Sequence, residues 1–130
     1  MSSGQLPLAI VTGASTGISY ELAKCCAREG FNLVVAADKP ALQDAAEEFR
    51  HLNAAVDAVQ ADLSTTEGVN ALHAAAKGRP VEALLANAGR GLGHGFLDQD
   101  WEQARKVVDT NVTGTIYLLQ KVGRDMRARK

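Results

Sequence analysis

The segment Ile10-Val11-Thr12-Gly13-Ala14-Ser15-Thr16-Gly17-Ile18 joins an apolar run to the start of a helical pattern through two glycines. Such a turn can hold a phosphate. Side chains at Gly13 or Gly17 would keep a pyrophosphate from the backbone N–H groups, which together with the helix dipole hold its negative charge. Asp38 lies about 20 residues beyond Gly17, at the end of the next apolar run, where an acid can bind the two hydroxyls of a ribose. It can equally cap a helix starting near Pro40. Two Tyr-x-x-x-Lys pairs, Tyr20 with Lys24 and Tyr117 with Lys121, have a spacing that on a helix sets an ammonium beside a phenol and lowers its pKa. Ordinary helix-surface packing accounts for both pairs more simply. His94 falls in a glycine loop with no Cys, His or acidic pair at metal-ligand spacing, so no metal is expected.

Strand and helix signals alternate along the chain, the pattern of a parallel sheet with crossover helices. Leu8 to Thr12 is the first strand, and Gly17 to Glu29 a helix with Ile18, Leu22, Ala23 and Cys26 on one face, closed by Gly30. Leu33 to Ala37 is apolar on both faces. Pro40 opens a helix with Leu42, Ala45, Ala46, Phe49 and Leu52 as its stripe. A third strand runs from Ala55 to Gln60. Ser64-Thr65-Thr66-Glu67 has capping-box spacing, which predicts a helix capped by Ser64, with Val69, Leu72 and Ala76 inward and a stop at Gly78. Val81 to Ala86 is the fourth strand, followed by a loop with Gly89, Gly91, Gly93 and Gly95 and a helix from about Asp98 to the end. Right-handed crossovers then give the strand order 3-2-1-4 and place a crevice between strands 1 and 4, above their carboxyl ends.

At 130 residues the chain has the size of one domain. With 46% apolar residues and a formal net charge of -1, it lacks the positive excess of a nucleic-acid binder. Its two cysteines, Cys25 and Cys26, are adjacent on a helix, where their side chains diverge and cannot form an ordinary bridge. No apolar stretch approaches the roughly 20 residues that span a bilayer, and the expected location is the cytoplasm.

Thr12-Gly13-x-x-x-Gly17-x-Ser19 together with Asn87-Ala88-Gly89 resembles the short-chain dehydrogenase/reductase family. That family's fingerprint is TGxxxGxG, a charged selector after strand 2, a DL-type pair after strand 3, NAG after strand 4 and an Asn in the following helix. Here these are matched by Asp38, Asp62-Leu63, Asn87-Ala88-Gly89 and Asn111. The resemblance covers essentially the whole chain but only about the first half of a family member. It implies an α/β, Rossmann-like doubly wound parallel sheet in one dinucleotide-binding domain, residues 1–130, truncated at its C-terminus.

By resemblance the cofactor is NAD, with NADP less favoured. It would be held by Thr12, Gly13, Ser15, Thr16, Gly17, Ile18, Asp38, Asp62, Leu63, Asn87, Ala88 and Gly89. Asp62 would accept a hydrogen bond from the adenine amino group, and Asn87 would steady the central strands. Both also fit plain turn roles, Asp62 before the Ser64 cap and Asn87 at a strand end. Asn111 is the single catalytic-set residue carried over, supporting a proton-relay water in the family. Inside a helix it signals either a local distortion or a function. The family's catalytic Ser and its Tyr-x-x-x-Lys belong to later strands absent from this chain. In its complete form the implied protein is an oxidoreductase moving hydride between a nicotinamide and a small alcohol or carbonyl compound. A non-catalytic dinucleotide-binding or protein-interaction module is the alternative, and a homo-oligomer is left open.

Ser19 stands where the fingerprint has glycine for close helix–strand packing. Overpacking of about 1–3 kcal/mol, against about 0.5–1 recovered from replacing a helical glycine, leads to the expectation of an impaired cofactor site.

Overall fold

All five residues of β1 (Leu8–Thr12) are buried, because helices cover both faces of the sheet to which it is central. The computed structural model describes residues 6–89, 91 and 95–129; Gly93, His94 and Lys130 lie outside them. The described elements begin with β1, α1 (Gly17–Arg28), β2 (Asn32–Ala37), α2 (Ala41–Arg50), β3 (Val56–Gln60), α3 (Thr66–Ala75) and β4 (Val81–Leu85). The strands are all parallel, in the order β3-β2-β1-β4, as right-handed crossovers require.

The alternation of side chains along a strand divides the core in two. Ala9, Val11, Leu33 and Val35 face one side, where Ala23 and Ala27 of α1 and Leu42, Ala45, Ala46 and Phe49 of α2 pack on them. Leu8, Ile10, Val34 and Ala36 face the other, against Val69 and Leu72 of α3 and two residues of the last helix, Leu118 and Val122. Near-continuous apolar strands such as Leu33–Ala37 are what double coverage demands.

Three expectations are revised. The cap of α3 is Thr65, not Ser64: the Thr65 hydroxyl accepts from the Gly68 N–H at 3.0 Å, and Ser64 is engaged with Asp62 instead. The last helix does not begin at Asp98, since Phe96–Asp98 forms an isolated 3-10 turn. It starts as α4 (Trp101–Val108), with the Asp100 carboxylate accepting from the Gln103 N–H at 3.3 Å. Nor is it continuous: a π turn, Asp109–Gly114, separates α4 from α5 (Thr115–Arg129). The distortion expected at Asn111 is this π turn. No helix among the described residues is long and apolar enough to cross a membrane.

Candidate functional site

The carboxyl ends of the parallel strands and the loops leaving them line one open cleft. Gly13, Ser15 and Thr16 come from the loop after β1, Asp38 and Lys39 from that after β2, Asp62 and Leu63 from that after β3, and Ala88 and Gly89 from that after β4; Thr110 of the π turn completes the wall. Residues scattered over a hundred positions of sequence converge here because every parallel strand points its carboxyl end the same way.

The turn after β1 is held by backbone geometry. Gly13 has φ +69 and Gly17 φ +67, values that side-chain-bearing residues avoid. A Cβ on Gly13 would lie 3.1 Å from the Ala88 Cα, so the loops after β1 and β4 touch through that glycine; one on Gly17 would meet no protein atom. The N–H groups of Gly13 and Ala14 donate to the Ala36 carbonyl at 2.7 and 3.1 Å, tying the turn across β2. Thr16, the N-cap of α1, makes no side-chain cap bond, and the first turn carries no acidic residue. The protein therefore leaves the positive end of α1 without an anion of its own.

Thr12 and Ser19 lie beneath this turn. The Thr12 hydroxyl accepts from the N–H groups of Asn87 and Ala88, each at 2.8 Å, and donates to the Leu85 carbonyl at 3.5 Å. That uses all the bonding capacity of a hydroxyl and joins β1 to the exit of β4. Ser19 is 3% exposed, and its hydroxyl accepts from the Asn87 side-chain amide at 2.8 Å. The oxygen that the overpacking expectation concerns therefore occupies a place where it has a partner, and no buried side-chain polar atom among the described residues lacks one.

On the opposite wall, the Asp62 carboxylate accepts from the Ser64 hydroxyl at 2.6 Å and the Ser64 N–H at 3.0 Å, and faces the Lys106 ammonium at 3.3 Å. The Ser64 hydroxyl first, then its N–H and Lys106, hold the Asp62 pKa below the usual aspartate value. Two glycines that sequence reasoning did not single out as packing sites set this loop. A Cβ on Gly68 would fall 1.9 Å from the Asp62 carbonyl oxygen, and one on Gly114 1.8 Å from that of Leu63. Thr110 and Lys106 were also missed, because each looks like a routine helix-surface residue until the π turn and α4 bring it to the cleft.

Thr12, Gly17, Ile18, Asn87 and Asn111 do not line the cleft as Gly13 or Asp38 do. Thr12 is buried under it, and Ile18 is exposed. The Asn111 amide oxygen sits 3.2 Å from where a Gly89 Cβ would be, at the cleft's rim beside Thr110. Both Tyr-x-x-x-Lys pairs belong to helix surfaces. Lys24 and Lys121 stand over the rings of Tyr20 and Tyr117 at 5.0 and 5.3 Å, but the phenols donate to Glu48 and to Asn70, and neither borders the cleft. The Glu48 hydrogen bond, helped by desolvation, raises the Tyr20 pKa, the reverse of activation. Among the described residues no cluster of side chains is arranged to hold a metal.

A cleft at the carboxyl ends of a parallel sheet, floored by left-handed glycines and an unneutralised helix N-terminus, can take an anionic dinucleotide. Comparison with known proteins agrees with this architecture. The chain is 36% identical over 126 residues to L-rhamnose 1-dehydrogenase (NAD(P)(+)) of Azotobacter vinelandii, covering 91% of this chain and 49% of the relative. It superposes on L-sorbose reductase from Gluconobacter frateurii, solved with NADPH and L-sorbose, with a TM-score of 0.86 and 27% identity over 96% of this chain and 49% of that one. For 3-oxoacyl-[acyl-carrier protein] reductase from Brucella melitensis, solved with NAD, the TM-score is 0.83 and the identity 29%, over 97% and 51% of the two chains. The chain thus spans about half the length of the relatives it matches. Residues 7–130 match the short chain dehydrogenase family, and the chain belongs to that family.

Proposed function

We propose that the cleft binds a nicotinamide dinucleotide, with its pyrophosphate on the turn from Gly13 to Gly17 and its adenosine between Asp38 and the Asp62–Leu63 loop, and that NAD is preferred to NADP. The observation that carries this is the pair of positive-φ glycines beneath an uncapped helix N-terminus, facing across the cleft an acid at the end of β2. Ser15 and Thr16 supply hydroxyls and N–H groups to the phosphates. Thr12 and Asn87 act from below by fixing the two loops, Ala88 and Gly89 leave room for the second ribose, and Ile18 flanks the helix start. An Asp38 carboxylate accepts from both ribose hydroxyls and repels a 2′-phosphate; Lys39 beside it softens that preference.

One relative is named for NAD(P)(+) and two similar structures were solved with NADPH and with NAD, so the preference rests on Asp38. A nicotinamide bound there would supply or take up a hydride, and on this reading the whole protein is an oxidoreductase acting on a small alcohol or carbonyl substrate. This chain's part is to hold and orient the dinucleotide, with Asn111 at the rim where the nicotinamide end would lie. Titration with NAD and NADP tests the reading: NAD binds more tightly, and Asp38→Ala weakens NAD by about tenfold while leaving NADP unchanged or improved. Tighter binding of NADP by the unaltered chain would remove Asp38 from the selector role, and failure to bind either dinucleotide would overturn the assignment.

A further inference from the structure

We propose that Lys106 is a positioning residue for adenine recognition, holding the Asp62 carboxylate where it can accept the exocyclic amino group; the inference rests on the cleft being a dinucleotide site. The arrangement spans two distant parts of the chain. Asp62 follows β3, and one of its oxygens, Oδ1, is fixed by the Ser64 N–H and hydroxyl at 3.0 and 2.6 Å. The other, Oδ2, faces the Lys106 ammonium, which reaches over from α4 at 3.3 Å. With one oxygen held by two donors and the other drawn by a cation, the carboxylate plane has little freedom left. A carboxylate offers about four lone-pair sites, so Oδ2 retains one for a further donor.

Charge supports the same role. Lys106 borders a part of the cleft formed by Asp38, Gln60, Ala61 and Asp62. Without it Asp38 and Asp62 would face an incoming dinucleotide, itself anionic, with Lys39 as the cation beside them. The side chains of Lys106 and Asp62 are 37% and 42% exposed, and an ion pair so hydrated adds little to folding. Its effect should therefore appear in ligand discrimination and not in the fold.

The test compares NAD with nicotinamide hypoxanthine dinucleotide, which has a carbonyl in place of the adenine amino group, in titrations of the unaltered chain, Lys106→Met and Lys106→Arg. A hydrogen bond from the amino group to a charged acceptor gives the unaltered chain a preference for NAD of about tenfold. Lys106→Met reduces that preference to within about twofold, and Lys106→Arg, which keeps the cation, retains most of it; a general loss of positive charge weakens both dinucleotides equally and cannot change their ratio. A ratio unchanged in Lys106→Met overturns the inference while leaving the cofactor site standing. Binding of neither dinucleotide by the unaltered chain overturns both.

Discussion

Replacing Ser19 by glycine, which restores the family's fingerprint, will destabilise this protein and will not improve its cofactor site. The Ser19 hydroxyl is buried and accepts from the Asn87 amide at 2.8 Å, so removing it forfeits about 0.5–1.5 kcal/mol for a neutral hydrogen bond. Glycine inside α1 costs about another 0.5–1 kcal/mol relative to a residue with a side chain. The total of about 1–2.5 kcal/mol corresponds to a fall in Tm of about 4–10 °C for a domain of this size. Ser19→Ala separates the two terms: it loses the hydrogen bond but gains helix propensity, so its Tm falls less than that of Ser19→Gly. Thermal unfolding followed by circular dichroism gives the stabilities, and titration with NAD gives the affinity, expected to be unchanged or weaker. A higher Tm or a tighter Kd for Ser19→Gly would show that the hydroxyl crowds the helix against β1 and that its bond to Asn87 contributes nothing.

Gly68→Ala and Gly114→Ala each place a Cβ within 2 Å of a backbone carbonyl oxygen, at 1.9 and 1.8 Å; each should lose about 1–3 kcal/mol or more in denaturant unfolding, and a wild-type midpoint would contradict the packing described for the Asp62–Leu63 loop. Because folding lowers the Asp62 pKa, its stabilisation is fully present above the ordinary aspartate value of about 4 and is lost as pH falls through the lower folded value. The Tm advantage of the unaltered chain over Asp62→Asn should therefore be constant above about pH 5 and close below about pH 4; an advantage independent of pH would exclude the carboxylate charge as its source. Tyr20→Phe and Tyr117→Phe should leave dinucleotide affinity unchanged, since the phenols engage Glu48 and Asn70 outside the cleft, and a loss of binding in either would show that these tyrosines reach the ligand.

The elements that carry a strong local signal were legible from residue order alone. β1 is apolar from Leu8 to Val11 and is followed by the glycine turn, α2 has a clean stripe from Leu42 to Phe49, and α3 ends at Ala75, a few residues before the expected stop at Gly78, because Lys77 already turns to φ +55 ahead of Gly78 at φ +74. From those pieces the crossover rule gave the strand order, and the strand order gave the cleft. Ser64 and Thr65 were harder to separate, because both can cap and the choice depends on Asp62, whose carboxylate engages the Ser64 hydroxyl and leaves Thr65 to bond Gly68. The bond made by Ser19 is hidden in the sequence for a related reason. A fingerprint reports what usually fits beside β1, whereas the fate of one hydroxyl depends on Asn87, far away in sequence. Lys106 carried no local sign at all, since its partner lies on another loop and pairing across loops has no periodicity.

The segment from Trp101 to Arg129 shows most clearly how close approach can override hydrophobic pattern. Val108, Val112, Ile116 and Leu119 repeat at helical spacing and would be assigned to the core by periodicity, yet all four are exposed. Buried in their place are Ala104, Thr110, Gly114, Leu118 and Val122. In a straight α-helix the run Thr110, Gly114, Leu118, Val122 drifts by about 40° per step, because 3.6 residues complete a turn. The wider π turn over Asp109–Gly114 reduces that drift where it matters, between Thr110 at the cleft and Gly114 against Leu63. Only glycine can occupy the second position, given a carbonyl oxygen 1.8 Å from its would-be Cβ. The register of the whole segment is then set by one glycine meeting one backbone oxygen, and Asn111 is carried to the rim of the cleft as a consequence. π turns of this kind recur at functional sites because they aim a side chain that a regular helix would misplace. Thr115, whose hydroxyl donates to the Thr110 carbonyl at 3.2 Å, supplies a bond to a backbone acceptor in the distorted turn. The distortion is thus built from Thr110, Gly114 and Thr115 together, with Asn111 as the residue it presents.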